Sequence, residues 1–269
     1  MLETLRLDGK SAVVTGAGRG LGKAMARALA EAGADVVCAA RTREQIDGTV
    51  EEITSEGGRA IAVPTDVRDA TQVDAVIMEC VETYGKIDIM IANAGAGVGG
   101  EYEFWEYPDE KFEEALAANL KSSFYCGRAA AKQMVERRKG GVIINVSSGT
   151  AMRGYSDFAY STAKGGVISL TKSEATLLGR HGIRANVIVP GYVAQRPPSN
   201  EQEAELQRRR GQMIPVRRVG EWWELGPLAV YLASDASSYI TGQSFVIDGG
   251  GLAGGLGPTG FAPEHQLRV

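Results

Sequence analysis

Short apolar runs alternate with amphipathic stretches along nearly the whole chain. "SAVVT" (11–15) is a short apolar run that stops at glycines. "LGKAMARALAEAG" (21–33) then spaces its apolar residues at helical intervals and stops at Gly33. The same couple recurs. "DVVCAA" (35–40) predicts a strand, and "REQIDGTVEEITSEGG" (43–58) a helix ended by Gly57 and Gly58. "AIAVPTDV" (60–67) reads as a strand and its exit, 70–84 as a helix, and "KIDIMIANAG" (86–95) as a strand running into a glycine turn. A long helical stretch covers 109–137, "GVIINVSS" (141–148) is a strand, and "DFAYSTAKGGVISLTKSEATLLG" (157–179) a helix. The strand "IRANVIVPG" (183–191) leads into an irregular, charged segment. A helix near 223–234 and a last strand, "SFVIDGG" (244–250), follow.

Strand then helix, repeated about six times, predicts a parallel sheet covered by helices on both faces. The strands are near-continuous apolar runs, as expected when both faces are buried, and such crossovers are right-handed. No linker divides the chain, so residues 1–252 are expected to form one domain, with 253–269 as a glycine-rich tail. A chain of 269 residues, 44% hydrophobic and 23% charged, fits a soluble globular protein with a substantial core. The net charge of −4 offers no basic footprint for nucleic acid. Arg208, Arg209 and Arg210 follow Glu201, Glu203 and Glu205, which reads as a solvated helix face. Cys38, Cys80 and Cys126 form no C-x-x-C and are expected to be reduced core fillers of a cytoplasmic protein. No signal peptide is visible, and no apolar run approaches the ~18 residues of a membrane span. Only two histidines, His181 and His265, are present, which weighs against a metal site and against a Ser-His-Asp triad.

Glycine changes the picture. There are 35 among 269 residues, most of them at the ends of apolar runs. "TGAGRGLG" (15–22) follows the first strand and opens the first helix, whose unpaired N–H groups can hold a pyrophosphate if glycine lets it approach. A triphosphate loop would need G-x-x-x-x-G-K followed by Ser or Thr; Ala17 and Ala24 stand where it needs Gly and a hydroxyl. Farther on, Tyr160 and Lys164 of "AYSTAK" sit one helical turn apart with small residues between them, so phenol and ammonium share a face.

These motifs, in this order, resemble those of the short-chain dehydrogenase/reductases, the single-domain type that includes 3-oxoacyl thioester ketoreductases. Thr15, Gly16, Gly20 and Gly22 match its glycine motif, and Asp66-Val67 its adenine-contacting pair. "NAG" (Asn93, Ala94, Gly95) matches its motif after the fourth strand. Asn119 of "AANL", the serine of "INVSS", "YSTAK", "VPG" (189–191) and "YITGQSFVIDGG" complete the series from about residue 6 to 250. The resemblance implies a Rossmann-type, doubly wound, seven-stranded parallel sheet in the order 3-2-1-4-5-6-7. It also implies an NAD(P)-dependent enzyme that interconverts a secondary alcohol and a ketone, with Asn119, Ser148, Tyr160 and Lys164 as catalytic residues. The dinucleotide would contact Gly16, Arg19, Gly20, Leu21, Gly22, Arg41, Asp66, Val67, Asn93, Ala94, Gly95, Tyr160, Lys164, Pro190, Gly191 and Val193. Relatives of this kind are mostly tetramers, a dimer being the other option; the apolar face of "GGVISLTKSEATLLG" is compatible with such assembly.

The chemistry asks for these residue types. Hydride goes to carbon and a proton to oxygen, and Tyr160 would give or take the proton. A free phenol titrates near ~10, and lowering it by about 3 units requires ~4 kcal/mol. An ammonium ~4 Å away supplies about that at an effective dielectric of ~20. By family resemblance Lys164 also holds the nicotinamide ribose, and Asn119 fixes a water that links Lys164 to solvent. For the serine, the strand register selects Ser148 and the count back from Tyr160 selects Ser147; Ser148 is preferred because loops absorb deletions more readily than sheets. Ser147 then reads as a backbone-bonded strand-end serine.

The second strand ends in Ala40-Arg41, with no carboxylate for the adenine ribose, and Arg19 lies in the glycine loop. Two guanidiniums favour the 2′-phosphate of NADP(H); NAD(H) is the alternative. "GAGVGGEYEFWEYP" (95–108) and a lid at about 195–215 are expected to cover the substrate. Tyr102, Phe104 and Trp105 would contact it or pack the lid hinge, and Gln195 stands where the family often has Thr. Polyol, sugar or cyclic-alcohol dehydrogenation is the alternative activity. A non-catalytic nucleotide scaffold or a lyase is the other class, and net NADPH consumption with a ketone separates it from the first two.

Overall fold

The computed structural model describes residues 2–100 and 102–255. Seven strands form one fully parallel sheet: β1 (Ser11–Thr15), β2 (Asp35–Ala40), β3 (Arg59–Pro64), β4 (Ile89–Ala92), β5 (Gly141–Val146), β6 (Ile183–Pro190) and β9 (Ser244–Ile247). Their order is β3-β2-β1-β4-β5-β6-β9, the 3-2-1-4-5-6-7 arrangement expected. The two strands absent from that order, β7 (Val193–Ala194) and β8 (Gly220–Glu221), pair only with each other.

Period-two alternation divides the strands between two cores. Val14, Cys38, Ile91 and Ile144 face one side, where Met25, Leu29, Ile46 and Leu232 cover them. Those residues come from α1 (Gly20–Glu31), α2 (Arg43–Ser55) and α8 (Leu225–Ala233). Val13, Val37, Met90 and Ile143 face the other, under Val76, Ile77, Ala130, Met134 and Ala175. These belong to α3 (Ala70–Tyr84), α5 (Ser122–Arg137) and α6 (Phe158–Leu178). All three cysteines are free and buried, as expected, and burial pushes each thiol up to about 12.

The charged stretch after β6 is more ordered than its composition suggested. Asn200 accepts the Glu203 N–H at 2.9 Å and caps α7 (Glu201–Gln212), the solvated helix that the Arg/Glu run predicted. The stretch 109–137 is helical but not one regular helix. α4 (Asp109–Leu116) passes into α5 through a π turn at Ala117–Lys121, centred on fully buried Asn119. Of the glycine-rich tail, residues 256–269 lie outside the described part. Among the described residues no helix is long and apolar enough to cross a membrane.

Candidate functional site

The carboxyl ends of β1, β2, β4 and β5 border a cleft of about 600 Å³, the position at which open parallel sheets bind ligands. Its floor is bare backbone. Gly16 is left-handed (φ 69°), and a Cβ there would meet Asn93 Nδ2 at 2.7 Å; a Cβ on Gly22 would overlap the Gly16 carbonyl. Thr15 staples the two motifs together. Its Oγ1 accepts from the N–H groups of Asn93 (3.1 Å) and Ala94 (3.2 Å), and its carbonyl accepts from Asn93 Nδ2 at 2.9 Å. A narrow, glycine-floored slot at a helix start fits the diphosphate of a dinucleotide.

Of the residues expected at the cofactor, Gly16, Arg19, Leu21, Gly22, Arg41, Asp66, Val67, Asn93, Ala94, Gly95, Tyr160 and Lys164 line this cleft. Pro190, Gly191, Val193 and Gly20 do not. Pro190 ends β6, Gly191 packs on Asp248, and Val193 pairs with Gly220. Gln195 takes the lining position instead, and its Oε1 lies against Gly20, whose φ is 55°. Sequence reasoning missed Gly18, Thr42, Gln45 and Arg68, which also line the cleft. The signal for Arg68 was local: "DVRD" places it two residues beyond Asp66. Its guanidinium grips the Asp66 carboxylate at 2.5–3.1 Å and, aided by Arg41, holds that acid below its usual range. Neither Arg19 nor Arg41 has a carboxylate ion pair among the described residues.

At the far end of the cleft, α6 brings Tyr160 and Lys164 to one face. Lys164 is 3% exposed; its Nζ donates to the Val146 carbonyl at 2.9 Å and lies 5.8 Å from the Tyr160 ring centre. Burial pushes the ammonium down to about 8. Ser147 is buried and donates to the Lys164 carbonyl at 2.7 Å, so it is the strand-end serine that anchors α6. Ser148 faces Tyr160 and also accepts from Thr150 Oγ1 at 3.0 Å. The expected lowering of the phenol is not what the protein alone shows. Burial drives Tyr160 upward, the Ser148 hydrogen bond opposes that rise, and Asp157 adds to it.

Asn119 spends its amide on protein groups. Nδ2 donates to the carbonyls of Ala96 (2.8 Å) and Ala115 (3.0 Å), and Oδ1 accepts from the Ala96 N–H at 3.2 Å. Its own carbonyl accepts from Ser123 Oγ at 3.0 Å. The π turn thus pins the 95–97 segment beside Lys164. A Cβ on Gly95 would sit 2.5 Å from Asn119 Oδ1 and 2.9 Å from Lys164 Nζ.

Known proteins agree with the family that the ordered motifs and the strand order point to. A family model described as enoyl-(acyl carrier protein) reductase matches residues 16–251. The chain belongs to the short-chain dehydrogenase/reductase family. Among curated members of the family, an L-rhamnose 1-dehydrogenase (NAD(P)(+)) from Sphingomonas sp. (strain SKA58) is 38% identical over 249 residues, 91% of this chain and 96% of that protein. A 3-oxoacyl-[acyl-carrier-protein] reductase from Staphylococcus aureus is 36% identical over 243 residues, covering 90% and 97%. A solved gluconate 5-dehydrogenase from Burkholderia cenocepacia, in complex with NADP and tartrate, superposes with a TM-score of 0.84 at 33% identity, covering 94% of this chain and 98% of that one.

Proposed function

We propose that this short-chain dehydrogenase/reductase interconverts a secondary alcohol and a ketone, with NADP(H) as hydride carrier. One observation carries the reading: Tyr160 and Lys164 line the end of a glycine-floored cleft shaped for a dinucleotide, with Ser148 hydrogen-bonded to Tyr160. The bound nicotinamide supplies the hydride in reduction and accepts it in oxidation. The chain manages the proton. In reduction Tyr160 gives its phenolic proton to the carbonyl oxygen as the C=O becomes H–C–O–H, and Ser148 donates a hydrogen bond to that same oxygen; in oxidation the proton returns to Tyr160. Desolvation disfavours the phenolate, so a cation must offset it, and Lys164 is the one that shares its face of α6. Asn119 serves by holding the 95–97 segment against Lys164.

Arg19 and Arg41 line the cleft and form no carboxylate ion pair among the described residues, which supports NADP(H) over NAD(H). Exposed Phe124 on α5, Leu177 on α6 and Val246 on the edge strand β9 support self-association, which we take to be tetrameric in a cytoplasmic enzyme. The relatives include one named for a sugar and one for an acyl thioester, and both fit the same chemistry.

Titration followed by reduced-nicotinamide fluorescence tests the cofactor assignment. NADPH is expected to bind at least ~10-fold tighter than NADH, the scale of charge-assisted hydrogen bonds to a phosphate. Ala40→Asp, which puts a carboxylate beside the adenine ribose, should reverse that order. Tighter NADH binding by the wild type, or an unchanged ratio in the variant, removes Arg19 and Arg41 from the phosphate.

A further inference from the structure

At the substrate end of the site lies a carboxylate that neither the proton chemistry nor the cofactor uses. Asp157 is half-buried and precedes α6. Its Oδ1 accepts the Tyr160 N–H at 3.1 Å and caps the helix that carries the catalytic pair. No donor among the described residues reaches its Oδ2. That oxygen adjoins Gly97, which lines the cleft; a Cβ there would be 2.9 Å from it. With Oδ2 at Gly97 and Oδ1 on the Tyr160 N–H, the carboxylate stands at the rim of the cleft beside Tyr160, and its charge adds to the burial that raises the Tyr160 and Tyr107 hydroxyls.

An aromatic wall flanks it. Phe158 packs against Tyr107 (ring centres 4.5 Å apart) and Phe104 (4.9 Å), while Phe104 remains 71% exposed. A fixed carboxylate accepts hydrogen bonds from hydroxyls and repels carboxylates, and an aromatic wall accepts an apolar C–H face. Together they suit a ring with hydroxyls on its edge better than an acyl thioester, which brings no donor next to its carbonyl.

We propose that Asp157 is a specificity residue whose Oδ2 accepts the hydroxyl adjacent to the reacting carbon, so that the substrate is a vicinal polyol, either a sugar or a cyclic diol. This rests on the oxidoreductase reading above. The helix-capping oxygen and the substrate-facing oxygen are separate atoms, and substitution can part them. Asp157→Ser keeps an N-capping hydroxyl and deletes the second oxygen; Asp157→Asn keeps both positions but turns one acceptor into a donor.

The test compares kcat/KM for NADP-dependent oxidation of the 1,2-cyclohexanediols, L-rhamnose and cyclohexanol by the wild type and both variants. The wild type should prefer its best diol-bearing substrate over cyclohexanol by about 10- to 100-fold, the scale of one hydrogen bond to a charged group. In both variants the ratio should fall toward one, through KM for the diol. Thermal melts establish that the variants fold, and Asp157→Asn serves if the serine variant does not. Retention of the wild-type ratio in a folded variant, or a wild type that turns over cyclohexanol as well as any diol, overturns the assignment of Asp157 alone. A wild type that binds NADPH but oxidises none of these alcohols overturns the assignment together with the reading beneath it.

Discussion

Tyr160→Phe is expected to lower kcat at least ~100-fold, with kcat and kcat/KM falling together and NADPH affinity changed by less than about twofold. The split follows from position. The phenol ring lines the cleft, so phenylalanine preserves the shape of the wall against which a nicotinamide would be held. The hydroxyl is the one group there with a transferable proton and a lysine on the same helix face. Its removal also leaves Ser148 with one partner fewer, a small perturbation beside loss of the proposed general acid. Stopped-flow turnover with a ketone, paired with a fluorescence titration of NADPH, measures both quantities. Activity within tenfold of wild type would take Tyr160 out of the proton's path.

The second large effect lies away from the chemistry. Glu174, on α6, is 8% exposed; its Oε2 accepts from Asn145 Nδ2 at 2.7 Å, and Oε1 rests on Gly127 of α5. Burial raises its carboxyl to about 7, the Asn145 hydrogen bond acting weakly the other way. The folded value lies above the unfolded one, so between the two the native state holds more protons than the unfolded state. Stability is therefore full below the ordinary carboxylate range, falls as pH rises through about 7, and is level above it. The loss amounts to roughly 3 kcal/mol, two to three units at ~1.4 kcal/mol each. Glu174→Gln removes the titrating group and adds an N–H donor beside Asn145, whose buried Oδ1 has no partner among the described residues. Denaturant melts at pH 5.5 and 8.5 should show the wild type weaker at the higher pH and the variant more nearly constant. Equal pH dependence in the two proteins would rule out Glu174 as its source.

Much of this was legible in the chain because it is local. Strand–helix alternation, the glycines after β1 and the turn between Tyr160 and Lys164 are all set by neighbours a few residues apart. What escaped depends on contacts across the sheet. Nothing around Glu174 in sequence announces that Asn145, 29 residues away, and Gly127 will enclose it. Ser147 and Ser148 are told apart only when β5 meets α6 and one hydroxyl reaches the Lys164 carbonyl. The expectation for the Tyr160 phenol weighed the ammonium but not the desolvation that packing imposes. The pair Asp66–Arg68 is the exception, two residues apart and closed by a local turn in which the Arg68 N–H also donates to Asp66 Oδ1.

Gly95 contributes no functional group, yet Asn119 Oδ1 and Lys164 Nζ both close upon the place where its side chain would be. A methyl group there displaces the π turn and the lysine at once. In a scan of every substitution along the chain, this position would therefore be among the least permissive of the site, with a tolerance set by the empty space that two neighbours need rather than by any bond it makes.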